Sequence, residues 1–400
     1  MYSKMKSQLD ELKQSGGYRV FSDINRVGGE YPKAVSNGKE VTVWCSNDYL
    51  GMSQNKDVMR SAMEAIQQHG VGSGGSRNIG GTHQYLTDLE ASIADWHNKE
   101  AALVYPTGYS SNDATIQCLL RKFPDLVILS DEKNHASIIN GIRSARNPKH
   151  LFKHNDIEHL ESILQTIDIN TPKLIVFESV YSMDGDIADI TGIVALAKKY
   201  NCLTYLDEVH AIGMYGDRGA GIAQALGHEQ DIDIIQGTMA KAVGVIGGYI
   251  AGNQTIIDFV RSFASGFIFT TSLPPSTAKA CLTSINHLKN SETERQRLKT
   301  NTALVRSIFT EYGISIMPCS ETHVLPIKIG NATKCKQAAD ILLKDFGIYI
   351  QPINSPTVEE GTERFRINAT PNHTETHIRY LANAIKTVFT KLELDKSQVV

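Results

Sequence analysis

The stretch LTYLDEVH sets Asp207 at the end of an apolar run, and GTMAKAVG sets Lys241 among small residues just past the next run. A carboxylate taken out of water at a strand end needs a cation or hydrogen-bond donors beside it. A lysine flanked by small residues can bring its amine against a bound ring. Read singly, Asp207 is a capped loop acid and Lys241 a surface lysine. Read together, they suit one cofactor, pyridoxal phosphate. A lysine amine condenses with its aldehyde, and an acid keeps its pyridine nitrogen protonated, so that the ring accepts carbanion electrons. His135, in DEKNHASIING, follows an apolar run and opens a helical pattern. It either caps that helix or stacks on the ring and moves protons. His210, in DEVHAIG, is either a turn histidine or a contact to the ring's phenolic oxygen. A phosphate needs backbone N–H groups and hydroxyls, often at a helix N-terminus. PTGYSSND (106–113) fits that need, and Thr238 and FIFTTSLPP (267–275) are further candidates.

Other motifs lack their context. Gly70, Gly72 and Gly75 spell G-x-G-x-x-G, but they follow a helix-like segment, MRSAMEAIQQH, where a dinucleotide fingerprint needs a strand. HTETH (373–377) and the pair His150 and His154 each space two histidines by four, with no third metal ligand in view. Neither a G-x-x-x-x-G-K-[ST] loop nor a G-x-S-x-G elbow occurs.

The elements that must position these residues are apolar runs alternating with helical patterns. The runs are AALVY (101–105), LVILS (126–130), LIVFES (174–179), LTYLDE (203–208), IDIIQ (232–236) and GGYIAG (247–252). Unbroken apolar strands separated by helices predict an α/β fold with a mostly parallel central sheet and helices on both faces. In such sheets ligands sit beyond the carboxyl ends of the strands, which is where the residues above fall. TAKACLTSINHLKNSETERQRLKT predicts one long helix, and the sequence after it predicts a smaller α+β C-terminal domain. The expected division is an N-terminal segment (1–50), a large cofactor-binding domain (51–290) and a small C-terminal domain (291–400).

The composition is that of a globular chain: 400 residues, 41% hydrophobic and 21% charged, with a net charge of -3. That balance argues against a dedicated nucleic-acid binder. Six scattered cysteines (45, 118, 202, 281, 319 and 335) show neither C-x-x-C nor zinc spacing and read as reduced thiols. The N-terminus has no signal-peptide pattern and no apolar run reaches the length of a membrane span, so a soluble, cytoplasmic protein is expected.

WCSNDYLGM, GSGGSRNIGGTH, DEKNHASII, FESVYSMDGD, DEVHAIGMYG, GTMAKAVGVIGGYIAG, GFIFTTSLPP and GTERFRINATP, in this order, resemble the α-oxoamine synthase family. Members are fold-type I pyridoxal-phosphate enzymes that join an amino acid to an acyl-CoA with loss of CO2. The resemblance implies that Lys241 carries the cofactor and transfers the substrate proton. It implies that Asp207 pairs with the pyridine nitrogen and that His135 stacks on the ring and polarises the carbonyl. His210 and Ser182 would touch the phenolic oxygen or neighbouring groups. Gly108 counts among the cofactor contacts, while Tyr109, Thr238 and, from a partner subunit, Thr270 and Thr271 would hold the phosphate. Arg366 would grip the amino-acid carboxylate, with Asn47 beside it. Arg19, Ser76, Asn78 and Thr357 match the positions that receive a distal carboxylate on the acyl group. The implied substrates are glycine and succinyl-CoA, with a different small amino acid or a longer acyl-CoA as the alternative, and the implied assembly is a homodimer with active sites at the interface. Three positions depart from the usual pattern. Ser76 stands where threonine is usual. INSPTVEEGTE brings Ser355, Glu359 and Glu360 close to the acyl carboxylate position. Val243 stands where tyrosine is common.

Overall fold

The computed structural model describes residues 1–394. It divides into two compact units. One comprises Met52–Tyr181 and Ile187–Arg295, and the other comprises Met1–Gly51, Ser182–Asp186 and the chain from Gln296 onward.

The first unit is built on a seven-stranded sheet. Its strands are β1 (Ala101–Tyr105), β2 (Val127–Asp131), β3 (Lys149–Phe152), β4 (Lys173–Glu178), β5 (Leu203–Asp207), β6 (Ile234–Thr238) and β7 (Gly248–Gly252). They lie in the order β1-β7-β6-β5-β4-β2-β3. β3, β2, β4, β5 and β6 run parallel. β7 is antiparallel to both β1 and β6, because the loop from β6 to β7 is too short for a crossover helix. Every residue of β2, β4, β6 and β7 is buried. That is why these segments read as unbroken apolar runs with no polar alternation. Two clusters of buried apolar side chains accompany the sheet, one around Leu129, Phe177, Val194 and Leu206, the other around Leu103, Ile116, Ile128 and Ile250. The register sets Glu178 opposite Asp207, and Asp207 opposite Gln236, at the carboxyl ends of β4, β5 and β6.

The long helix expected after residue 276 is two helices, Pro275–Asn290 and Thr293–Tyr312. Ser291 between them is extended (φ -116, ψ 130). Its hydroxyl donates to Glu294 Oε2 at 2.6 Å and accepts from Thr293 N at 3.3 Å. A serine whose side chain satisfies the first backbone donors of a new helix restarts it instead of continuing the old one.

The second unit has two small sheets. One holds strands 25–26, 33–36, 39–43 and 348–349, and the other holds 324–328, 364–368 and 352–353. Trp44, Phe309, Leu325, Ile367, Leu381 and Val388 belong to its apolar core. The histidines of HTETH are taken up locally. His373 stacks on Trp44 at 3.8 Å with Nδ1 2.9 Å from Thr370 Oγ1, and His377 Nδ1 accepts from Thr374 N in a capping box. Among the described residues no helix is long and apolar enough to cross a membrane.

Candidate active site

Asp207 ends β5 with its side chain buried. It accepts hydrogen bonds from Asn112 Nδ2 at 2.8 Å and from Val209 N at 2.9 Å. Burial raises its pKa, against the opposing pull of Asn112, the Lys241 charge and the Val209 N–H. Asn112 belongs to the helix Gly108–Lys122 and is fixed by Ser137 Oγ at 3.0 Å and by the Tyr205 hydroxyl, which donates at 2.8 Å. Glu178, one strand away, is raised well above the carboxylate range, first by burial and then by the charge of Asp207. It accepts from the backbone N–H of His135.

His135 caps the helix Ala136–Arg143. Its Nδ1 accepts from Ser137 N at 3.2 Å and lies 2.7 Å from Ser137 Oγ. An accepting Nδ1 assigns the proton of the neutral ring to Nε2. Burial lowers its pKa, and Lys241 lowers it further against the pull of Asp207, so the ring is a neutral N–H donor near neutral pH. Lys241 sits in the β6–β7 loop, where Gly244 N donates to its carbonyl at 2.8 Å. Gly244 has φ +77, and a Cβ there would lie 2.3 Å from Ser53 N, so the turn requires glycine. The Lys241 charge bears on Asp207, His135 and Glu178 together. His210 is buried in the turn after β5.

Thr107 caps the helix Gly108–Lys122 with a capping box closed by Ser110. A Cβ on Gly108 would lie 3.0 Å from Thr238 Oγ1, which places that helix start against the end of β6. Thr238 Oγ1 donates to Gly247 O at 2.8 Å. Tyr109 is half exposed, with its ring edge-on to His135 at 6.5 Å. Ser76 and Thr271 form an antiparallel bridge, which joins the Ser76–Asn78 loop to the Thr270–Thr271 segment.

In the other unit, Arg366 donates to Asn47 Oδ1 at 2.9 Å and to the Tyr49 hydroxyl. Both contacts are neutral oxygens. His323 lies against Tyr49 at 4.4 Å and is pushed down to about 3 by burial and by Arg366, so its ring is neutral beside that guanidinium. Arg364, two residues away on the same strand, is paired with Asp184 at 2.6 Å. Arg19 donates to Thr357 Oγ1 at 2.9 Å. Both line a cavity of about 430 Å³ with Phe21, Lys336, Gln351 and Ser355. Glu359 and Glu360 are exposed and do not line it. Ser182 lies in this unit, within Ser182–Asp186.

The sequence assigns no role to Asn112, Glu178 or Tyr49, although they lie in PTGYSSND, LIVFES and WCSNDYLGM. Glu178 has a usable signal, since LIVFE and LTYLD each close an apolar run with an acid. Asn112 had only its position four residues after Gly108, on the same helix face. The first unit thus brings together a buried carboxylate under pressure to find a cation, an amine, a neutral imidazole and a helix start lined by hydroxyls. That donor set fits pyridoxal phosphate: Asp207 suits its ring nitrogen, Lys241 its aldehyde, and the Gly108 helix start with Thr238 its phosphate.

The family model for class I and II aminotransferases matches residues 39–385. A 5-aminolevulinate synthase of Bradyrhizobium diazoefficiens is 50% identical over 396 residues, covering 98% of this chain and 97% of that one. One from Rhizobium meliloti is 48% identical over 399 residues, covering 99% and 98%. Among solved structures, a serine palmitoyltransferase from S. paucimobilis with PLP and myriocin superposes with a TM-score of 0.90 at 29% identity, covering 98% of each chain. Another, carrying PLP, gives 0.92 at 28% identity, again covering 98% of each. With half its residues shared over nearly its whole length, the chain belongs to the 5-aminolevulinate synthases, within the class I and II aminotransferase family.

Proposed function

We propose that the protein condenses glycine with succinyl-CoA, releasing CoA and CO2, to give 5-aminolevulinate, with pyridoxal phosphate as cofactor. The observation that carries this reading is the 50% identity to a 5-aminolevulinate synthase over 98% of the chain, and the buried Asp207 carboxylate with the Lys241 charge bearing on it supports the cofactor. When bound, the cofactor supplies an electron sink for the carbanions formed at the glycine α-carbon and on loss of CO2. The remaining work falls to side chains. Arg366, oriented by Asn47 and Tyr49, holds the glycine carboxylate with its planar fork. The Lys241 amine takes the α-proton and returns one at the end. His135, held through Nδ1 by Ser137, offers its Nε2 proton to the thioester carbonyl as carbon–carbon bond formation loads charge onto that oxygen. Asp207 keeps a positive charge beside it by being costly to leave unpaired. His210, Ser182, Gly108, Tyr109 and Thr238 complete the cofactor contacts.

Arg19, Ser76, Asn78 and Thr357 receive the succinyl carboxylate. The pairing of Arg19 with Thr357 at 2.9 Å supports two of these roles. A second reading, a longer acyl-CoA, draws on Ser76 and Ser355, small residues at or near the acyl end, one of them lining the 430 Å³ cavity. The protein acts as a cytoplasmic homodimer in which Thr270 and Thr271 serve the partner's phosphate. Exposed apolar residues such as Ile79 (77%) and Phe269 (84%) support such an interface. Incubating the purified protein with glycine and a panel of acyl-CoAs, with mass identification of products, tests the substrate assignment. 5-Aminolevulinate from succinyl-CoA is expected. No turnover of succinyl-CoA beside turnover of a longer chain contradicts it.

A further inference from the structure

The loop carrying Ser76 and Asn78 is tied at both ends to a single side chain. Ser272 Oγ lies 2.7 Å from Gly81 O and 3.2 Å from Gly75 O, and Ser272 N donates to Gly75 O at 3.0 Å. One hydroxyl has one proton, so it donates to one carbonyl at a time or shares the proton between them. Either way it sits where the two ends of the loop converge. Gly81 is buried in that convergence, and a Cβ on it would lie 2.2 Å from Gly75 O and 2.4 Å from Ser272 Oγ. Gly81 N also closes the loop on Ser76 O at 2.9 Å. Ser272 follows Thr271, which bridges to Ser76, and Thr270 is held separately by its hydroxyl bond to Gly266 O at 2.7 Å. The loop therefore leans on the 270–272 segment, while that segment has an anchor of its own.

We propose that Ser272 is a positioning residue for the acyl-CoA: its hydroxyl fixes the Gly75–Gly81 loop so that Ser76 and Asn78 meet the distal carboxylate in one geometry. This rests on the assignment of Ser76 and Asn78 to that carboxylate. Without the hydroxyl the middle of the loop stays clamped by Arg77 on Glu90, at 2.6 and 3.0 Å, and by Thr82 Oγ1 on Arg77 O at 2.8 Å, but the Gly75 and Gly81 ends keep only their backbone bonds and Ser76, next to Gly75, shifts from its position. The expected loss is therefore specific to the acyl substrate. Glycine binding and the cofactor's anchorage depend on other residues and stay as they are.

The test compares Ser272→Ala, Gly81→Ala and Ser76→Ala holoenzymes with the parent in steady-state kinetics for each substrate, together with the cofactor's visible absorbance band. Ser272→Ala is expected to raise the KM for succinyl-CoA about tenfold, the scale of one lost hydrogen bond. The KM for glycine and the absorbance band should change less than about twofold. Gly81→Ala, which wedges the same convergence from the other side, should reproduce the pattern. It also serves as the test if Ser272→Ala does not fold. Discrimination between succinyl-CoA and an uncharged acyl-CoA of equal length should fall in both. If Ser76→Ala raises the succinyl-CoA KM while Ser272→Ala and Gly81→Ala leave it unchanged, the role of Ser272 is overturned and the acyl site stands. If Ser76→Ala also leaves it unchanged, the acyl site itself is misassigned and the proposal falls with it. Equal damage to both substrates' KM and to the absorbance band would make Ser272 a general structural residue and overturn the proposal as well.

Discussion

At the scale of single residues, the candidate site is legible where chemistry leaves a mark in sequence. Asp207 and Lys241 are polar groups at the ends of apolar runs, and such groups need a reason to be there. Asn112 left no mark, because an asparagine inside PTGYSSND looks like any helix-start residue until Asp207 is found 2.8 Å from its amide. Its consequence is measurable. Asn112→Ala removes a donor that opposes the rise of the Asp207 pKa, leaving a buried carboxylate less well satisfied at a cost of about 1–3 kcal/mol. Cofactor affinity, measured by titrating apoenzyme, should weaken about tenfold or more. Unchanged affinity would mean that Asp207 does not depend on this amide. Arg366 makes the second case. Its contacts to Asn47 and Tyr49 use the geometry of a planar fork, which lysine cannot reproduce. Arg366→Lys should raise the KM for glycine at least about tenfold while leaving that for succinyl-CoA near the parent value. Equal effects on both would contradict a role at the amino-acid carboxylate.

At the scale of elements, six of the seven strands of the large sheet were legible because a sheet covered on both faces writes itself as unbroken apolar runs, and their ends were displaced by only a residue or two. The edge strand β3 was not, because only Phe152 of its four residues is buried and KHLF makes no apolar run. The break at Ser291 was not legible, because serine also occurs inside helices and only the hydroxyl contacts with Glu294 and Thr293 reveal the restart. Glu208 shows what burial does at an element's end. It accepts from Ile222 N at 3.1 Å and Ala223 N at 2.8 Å, capping the helix Ile222–Ala225, and burial pushes it up to about 7 from 4.5. Between those values the folded protein holds a proton that the unfolded chain has released. The group's contribution to stability is therefore full below pH 4.5, falls as pH rises through the window and levels off above about 7. The fall is on the order of 3 kcal/mol. Calorimetry of Glu208→Gln should show a flatter dependence of Tm on pH between 5 and 7.5 than the parent, whatever the variant's absolute stability. Parallel curves for the two proteins would contradict it.

At the scale of the whole molecule, each unit leaves apolar residues open to solvent. The helix Tyr2–Gln14 buries none of its residues, and Met59, Met63, Ile66, Val71, Ile79 and Phe269 are all exposed. Apolar surface left this open on one chain marks an interface. Analytical ultracentrifugation of the purified protein should give a single species of twice the 44.0 kDa chain mass, and a monomer with full activity would contradict the dimer. Sequence composition could not signal this, since an apolar residue on a helix reads the same whether it faces its own core or another chain. The proposed chemistry depends on the cofactor being held at one amine. Reduction of the holoenzyme with borohydride, followed by digestion and peptide mass mapping, fixes the cofactor to whichever lysine holds it. The added mass is expected on the peptide containing Lys241 and on no other; added mass on a different lysine, or on none, would refute Lys241 as the anchor.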